Sequence, residues 1–171
     1  MTHILVACAT KYGATREIAE KIAEALREAG CSVEAQPAEK VASLEPYDAV
    51  VLGSAVYAGS WRKEAALFLQ THEAALARRP VWLFSSGPTG TGDPVTLMKG
   101  WRFPEALQPI ADRIKPRAVA LFHGAMDLGR MQLADRLIIK AMKAPTGDFR
   151  DWAAIRAWAM AIARELAPVA V

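Results

Sequence analysis

Apolar and polar positions along this 171-residue chain form two kinds of pattern, short apolar runs and longer stretches with helical spacing. The first run, His3 to Ala9, is led by Ile4, Leu5 and Val6, the kind of segment that a parallel sheet covered on both faces buries. Ile18, Ile22, Ala25, Leu26 and Ala29 then fall at i, i+4, i+7, i+8 and i+11, which predicts an amphipathic helix that Gly30 stops. Ser32 to Gln36 reads as a second strand, and Pro37 to Pro46 as a connection holding one helical turn. Ala49 to Gly53 is the most strand-like run; a small-residue loop from Gly53 to Ser60 and a helix from about Trp61 to Ala77 follow it. Pro80 to Ser85 makes a fourth strand, Ser86 to Asp93 a flexible loop, Pro104 to Ile114 a helix and Ala118 to His123 a fifth strand, before two more helical patterns. Strands alternating with helices imply an α/β fold. The expected architecture is a five-stranded parallel sheet in the doubly wound order 2-1-3-4-5 with helices on both faces, one domain over residues 1–171.

In that order the ligand crevice lies outside the carboxyl ends of strands 1, 3 and 4. The loops there are Thr10-Lys11-Tyr12-Gly13-Ala14-Thr15, Ser54-Ala55-Val56-Tyr57-Ala58-Gly59-Ser60 and Ser86-Gly87-Pro88-Thr89-Gly90-Thr91-Gly92-Asp93. The first delivers a helix N-terminus to the sheet edge, where unpaired N–H groups and the hydroxyls of Thr10 and Thr15 suit a phosphate, and Gly13 allows close approach or positive φ. Other phosphate and nucleophile patterns fail. No GxxxxGK[ST] occurs, and the glycines at 90 and 92 are followed by Val95 where a dinucleotide fingerprint needs a third glycine. The position six after Cys8 is Ala14 and not the arginine of a thiolate phosphatase, so Cys8 reads as a small buried hydrophobe. The acidic places of a phosphoacceptor receiver hold Ala9-Thr10 and Gly53-Ser54, and Ser54 has no GxSxG elbow. His3, His72 and His123 have no partners at metal-ligand spacing, and no metal is expected.

Composition narrows the class without naming a reaction. With 53% hydrophobic and 23% charged residues the chain is an ordinary globular mixture. Its net charge of +3, with no basic stripe interleaved with aromatics, argues against nucleic acid as a partner. Two cysteines outside any CxxC pair fit a reduced compartment, and no run approaches the ~20 apolar residues of a membrane span. A cytoplasmic protein is expected, with peripheral contact at the inner face of the membrane as the one alternative placement.

The three loops and the strand order resemble the flavodoxin superfamily. The first loop matches its [ST]xTGxT pattern at Thr10, Gly13 and Thr15, with Tyr12 in place of threonine as in the quinone-reductase branch. The tail FHGAMDLGRMQLADRLIIKAMKAPTGDFRDWAAIRAWAMAIARELA and the segment SAVYAGSWRKEA resemble the flavodoxin-like, menaquinone-dependent protoporphyrinogen oxidases. Between Met142 and Trp152, however, the chain has only Lys-Ala-Pro-Thr-Gly-Asp-Phe-Arg-Asp, where that group is expected to carry a longer insertion. The resemblance implies a flavodoxin-like three-layer sandwich that binds FMN. The phosphate would lie on Thr10, Lys11, Tyr12, Gly13, Ala14 and Thr15, and the ring between Ser54, Ala55, Val56, Tyr57 and Gly59 on one side and Ser86, Gly87, Pro88 and Thr89 on the other. Tyr57 or Trp61 would cover the ring, with Tyr57 equally a loop anchor and Trp61 better suited to helix packing. It implies an FMN-dependent oxidoreductase acting on a small redox substrate, a quinone or a porphyrinogen, with no catalytic acid or base assigned. A flavodoxin-type electron carrier and a cofactor-free binding protein are the alternatives.

Two late helices remain. Over Arg130 to Lys143, Ala134, Leu137, Ile138, Ala141 and Met142 share one face and Arg136, Lys140 and Lys143 the other. This is either a core face with a solvated face, or a basic surface for anionic lipid or an acidic redox partner. In the last helix, Trp152, Ile155, Ala159, Ile162 and Leu166 are expected to close the sheet.

Overall fold

The computed structural model describes residues 1–169. Five parallel strands, β1 (His3–Ala9), β2 (Ser32–Pro37), β3 (Ala49–Tyr57), β5 (Val81–Ser86) and β6 (Ala118–Phe122), form a sheet in the order β2-β1-β3-β5-β6. Counting parallel strands alone, this is the expected 2-1-3-4-5. A two-residue strand, β4 (Ser60–Trp61), pairs antiparallel with the end of β3.

Alternation along each strand divides the core in two. Leu5, Ala7, Val50, Leu52, Val81 and Leu83 point to one face, where α2 (Lys63–Leu76) and, beyond the one-turn α3 (Pro94–Leu97), α4 (Gln108–Ile114) cover them. Ile4, Val6, Ala49, Val51, Trp82 and Phe84 point to the other, under α1 (Ala14–Glu28) and α6 (Trp152–Leu166). The register sets Ala9, Ser54, Ser85 and Leu121 in one row across the sheet. The residues after that row therefore emerge together at the carboxyl edge.

Three expectations are corrected. The stretch from Gly53 to Ser60 is largely strand: Ser54 and Ala55 pair with Ser85 and Ser86, and Val56 and Tyr57 turn back through Ala58 and Gly59 onto β4. Its small residues serve burial, since the Phe84 ring lies over Gly53. Trp61 accordingly belongs to β4; it is 6% exposed, donates its indole N–H to Ser85 Oγ at 2.8 Å and packs edge-on against Phe103, so its ring is taken up by packing. Trp152 is half-exposed beneath the Arg150 guanidinium, 4.6 Å from its ring, and the buried face of α6 is Ile155, Ala159, Ile162 and Ala163.

The third correction concerns α5 (Leu133–Met142), which buries no residue. Its predicted core face is exposed because the helix does not lie on the sheet. It stands at the carboxyl edge, where Asp135 accepts hydrogen bonds from Lys11 and Tyr12.

Candidate functional site

A cavity of about 550 Å³ opens at the carboxyl edge. That volume is within the roughly 300–1,000 Å³ usual for cofactor pockets. Of the candidate residues, Thr10, Tyr12, Ala14, Thr15, Ala55, Val56, Tyr57, Ser86 and Gly87 line it.

The first loop is shaped by its own polar groups. Gly13 N–H donates to Thr10 Oγ1 at 3.0 Å, and Gly13 takes φ +93°, a left-handed conformation that suits glycine. No side chain caps α1, so its first-turn N–H groups face the cavity mouth. The Arg16 guanidinium reaches within 3.5 Å of where a Gly13 side chain would begin, with its Nε 3.8 Å from the Glu20 carboxylate on the exposed side of the helix. These are the features that an anion needs.

The opposite wall is low. Ala55 and Val56 present small surfaces, and Gly87 and Gly124 pack backbone on backbone; a Cβ on Gly124 would stand 3.1 Å from Gly87 Cα. Tyr57 stands at the rim, 39% exposed, with Lys11 and Arg62 each 5.9 Å from its ring centre. Burial raises its phenol pKa, against the pull of those two cations.

Several candidates shape the site through contacts outside the cavity. Lys11 turns its ammonium to Asp135, which raises the pKa of the lysine and lowers that of the carboxyl. Tyr12 donates to the same carboxylate and accepts from Gln132 N–H at 3.3 Å. Ser54 is fully buried; its hydroxyl donates to Ala55 O and accepts from Arg62 N–H, fixing the exit from β4 into α2. Gly59 takes φ +73° in the β3–β4 turn. Pro88 accepts from Gly124 N–H at 2.9 Å, its carbonyl also meets His123 Nδ1 at 3.0 Å, and Thr89 follows it outside the cavity lining.

Half of the cavity was missed by sequence reasoning. Gly124 with β7 (Ala125–Met126), the turn Leu128–Arg130 with Met131, and β8 (Gly147–Asp148) with Arg150 close the far side. A signal was present, because the fifth parallel strand ends at the same edge and is followed, after His123, by the small residues Gly124 and Ala125. Arg150 organises this half. Its side chain, 10% exposed, donates to Ala14 O at 3.2 Å, to Glu17 and to Asp148, whose carboxyl it holds below the ordinary range. The arginine thus neutralises acids that would otherwise oppose an anion at α1.

The sequence matches the flavodoxin-domain family model over residues 5–152, and the chain belongs to the flavodoxin family. Among functionally curated proteins, none matches the sequence. The fold is similar to that of an archaeal flavodoxin (14% identity, 96% of this chain and 98% of that one, TM-score 0.64). It is equally similar to oxidised flavodoxin 1 of Bacillus cereus (14% identity, 97% and 100%, TM-score 0.64). The rubredoxin oxygen:oxidoreductase of Desulfovibrio gigas also matches (15% identity, TM-score 0.63), with 97% of this chain spanning 36% of that one. Membership of the flavodoxin family indicates FMN binding and an FMN-dependent redox role. Among the described residues, no helix is long and apolar enough to cross a membrane.

Proposed function

We propose that this chain is an FMN-dependent oxidoreductase that uses a quinone as electron acceptor and is related to the menaquinone-dependent protoporphyrinogen oxidases. The observation that carries the flavin site is the continuity of one cavity from the uncapped end of α1 to the low wall of Ala55, Val56, Gly87 and Gly124. The residues fit the group: an anion-binding helix end stands at one side, and a flat, nearly side-chain-free wall at the other.

FMN, when bound, supplies one- and two-electron transfer through its isoalloxazine ring. The chain supplies position and electrostatics. The Thr10 and Thr15 hydroxyls and the first-turn N–H groups of α1, with Arg16 beside them, would hold the phosphate; Ala55, Val56 and Tyr57 would flank the ring, and Ser86 and Gly87 would border its far edge. Met126, Leu128 and Met131 add an apolar wall that excludes water and suits a hydrophobic acceptor. No side chain is assigned as acid or base.

The quinone and porphyrinogen assignment is supported by the resemblance of the tail from Phe122 onward, which in the fold builds the far half of the cavity. The reading is tested in two steps. Purified protein is expected to be yellow, or to quench FMN fluorescence on titration, and Thr15→Ala with Gly13→Val is expected to abolish that binding. A colourless protein with no measurable FMN affinity sinks the reading. Reduced protein is then expected to be reoxidised by a menaquinone analogue, with turnover of a porphyrinogen. FMN binding without such turnover favours an electron carrier, the reading supported by full-length similarity to flavodoxins. The net charge of +3 weighs against a carrier, since such carriers are expected to be strongly acidic.

A further inference from the structure

We propose that the exposed face of α5 is a docking surface for an anionic lipid bilayer. Leu133, Leu137, Ile138 and Met142 are 69%, 58%, 56% and 70% exposed, and Ala134 and Ala141 lie exposed between them. A ten-residue helix that buries nothing cannot be stabilised by core packing, and its apolar stripe, about 15 Å long, is large for a surface left in water.

The charge beside the stripe selects the occupant. The one acid on α5, Asp135, is turned inward to Lys11 and Tyr12. Arg130 is paired with Asp127 and Arg136 turns back to donate to Met131 O at 3.2 Å, but among the described residues the exposed Lys140 and Lys143 make no ion pair. The helix therefore offers an exposed apolar face and, on its other side, the exposed lysines Lys140 and Lys143. A bilayer with anionic head groups supplies both complements at once, acyl chains for the leucines and phosphates for the lysines. A second copy of the chain does not, because a two-fold pairing of this helix brings two surfaces of the same positive sign together and supplies no anion. The helix lies in the interface and does not span it, and the Asp135 link to Lys11 and Tyr12 would hold the cavity mouth close to the lipid. This placement does not depend on the flavin reading.

The test is co-sedimentation of the full chain with vesicles of phosphatidylcholine and phosphatidylglycerol in equal parts, followed by tryptophan fluorescence. Binding is expected to anionic vesicles and to weaken in high salt. Leu137→Gln with Ile138→Gln, and separately Lys140→Glu with Lys143→Glu, are each expected to weaken it by about tenfold or more. Both variants should keep the wild-type melting curve and FMN titration, because none of the four residues is buried or lines the cavity. No binding to anionic vesicles, binding unchanged in both variants, or a wild-type dimer that the Leu137→Gln, Ile138→Gln variant dissolves would each overturn the proposal. Retention on polyglutamate without vesicle binding would also overturn it and assign the face to an acidic protein.

Discussion

Gly53→Ala is the sharpest perturbation of the scaffold beneath the site. Gly53 lies opposite Phe84 in the β3–β5 register, and a Cβ there would stand 2.0, 2.2 and 2.3 Å from three atoms of the Phe84 ring. Carbon atoms rest at about 3.5–4.0 Å, so the ring must retreat by roughly 1.5 Å. It has nowhere to go: Phe84 is fully buried, with Phe122 and Trp158 centred 5.9 and 6.1 Å away. Overpacking of this kind costs about 1–3 kcal/mol. The lower unfolded-state entropy of alanine returns about 0.4–1 kcal/mol, so a net loss of about 1–2 kcal/mol remains. Urea unfolding followed by tryptophan fluorescence should show a lower midpoint at unchanged slope. Phe84→Leu separates the clash from other effects. If the ring is the obstacle, the double variant is more stable than the sum of the singles by about 1 kcal/mol or more, whereas additivity to within about 0.5 kcal/mol refutes the reasoning.

Arg150→Met leaves Glu17 and Asp148 without their cation beside the α1 N-terminus. Because both acids are partly solvated, a stability loss of about 1–2 kcal/mol in urea melts is expected, together with weaker FMN binding by fluorescence titration. Asp148 gives a pH signature. Its folded pKa is depressed, chiefly by the hydrogen bond from Arg150, so its contribution is present above about pH 4 and lost as the pH falls through the folded value. Asp148→Asn should accordingly lose stability at neutral pH and show a shallower acid-induced decline than the wild type below about pH 4; identical profiles would deny the pair its role. Burial, with Glu39 and Glu20 adding and Arg16 opposing, raises the Cys8 thiol to about 11. Iodoacetamide at neutral pH should leave Cys8 unmodified in the folded chain and alkylate it on unfolding, by mass spectrometry; rapid native labelling would contradict the burial.

The sheet was legible because its signals are local and agree with one another. The apolar runs at 4–6, 49–52 and 81–84 are each buried on both faces, and alternation between helix and strand periods leaves few topologies open. Errors arose where one residue type serves two purposes. Glycine, serine and alanine from 53 to 55 look like a loop, yet they are small because Phe84 and the hydroxyl cap of Ser54 leave no room. Trp61 sits next to a helical pattern but is claimed by a two-residue strand, a pairing that only tertiary contact with Ser85 reveals.

At the site, the first loop was legible and the far wall was not, for a physical reason. A strand, a short polar loop and a helix in succession let a candidate anion site be read from sequence, because the N–H groups concerned belong to adjacent residues. The far wall joins Gly124 to Phe149 through a backbone hydrogen bond and Ala14 to Arg150 across 136 positions, and no periodicity records such contacts. The same holds for α5. Its apolar face has the spacing of a core helix, and periodicity cannot distinguish a face that meets a sheet from one that meets something outside the molecule. The decisive residue is Asp135, which tethers α5 to Lys11 and Tyr12 at the carboxyl edge and so keeps its leucines off the core. The first loop, whose lysine and tyrosine hold α5 through Asp135, thus joins the cavity edge and the outer surface in one hydrogen-bonded unit.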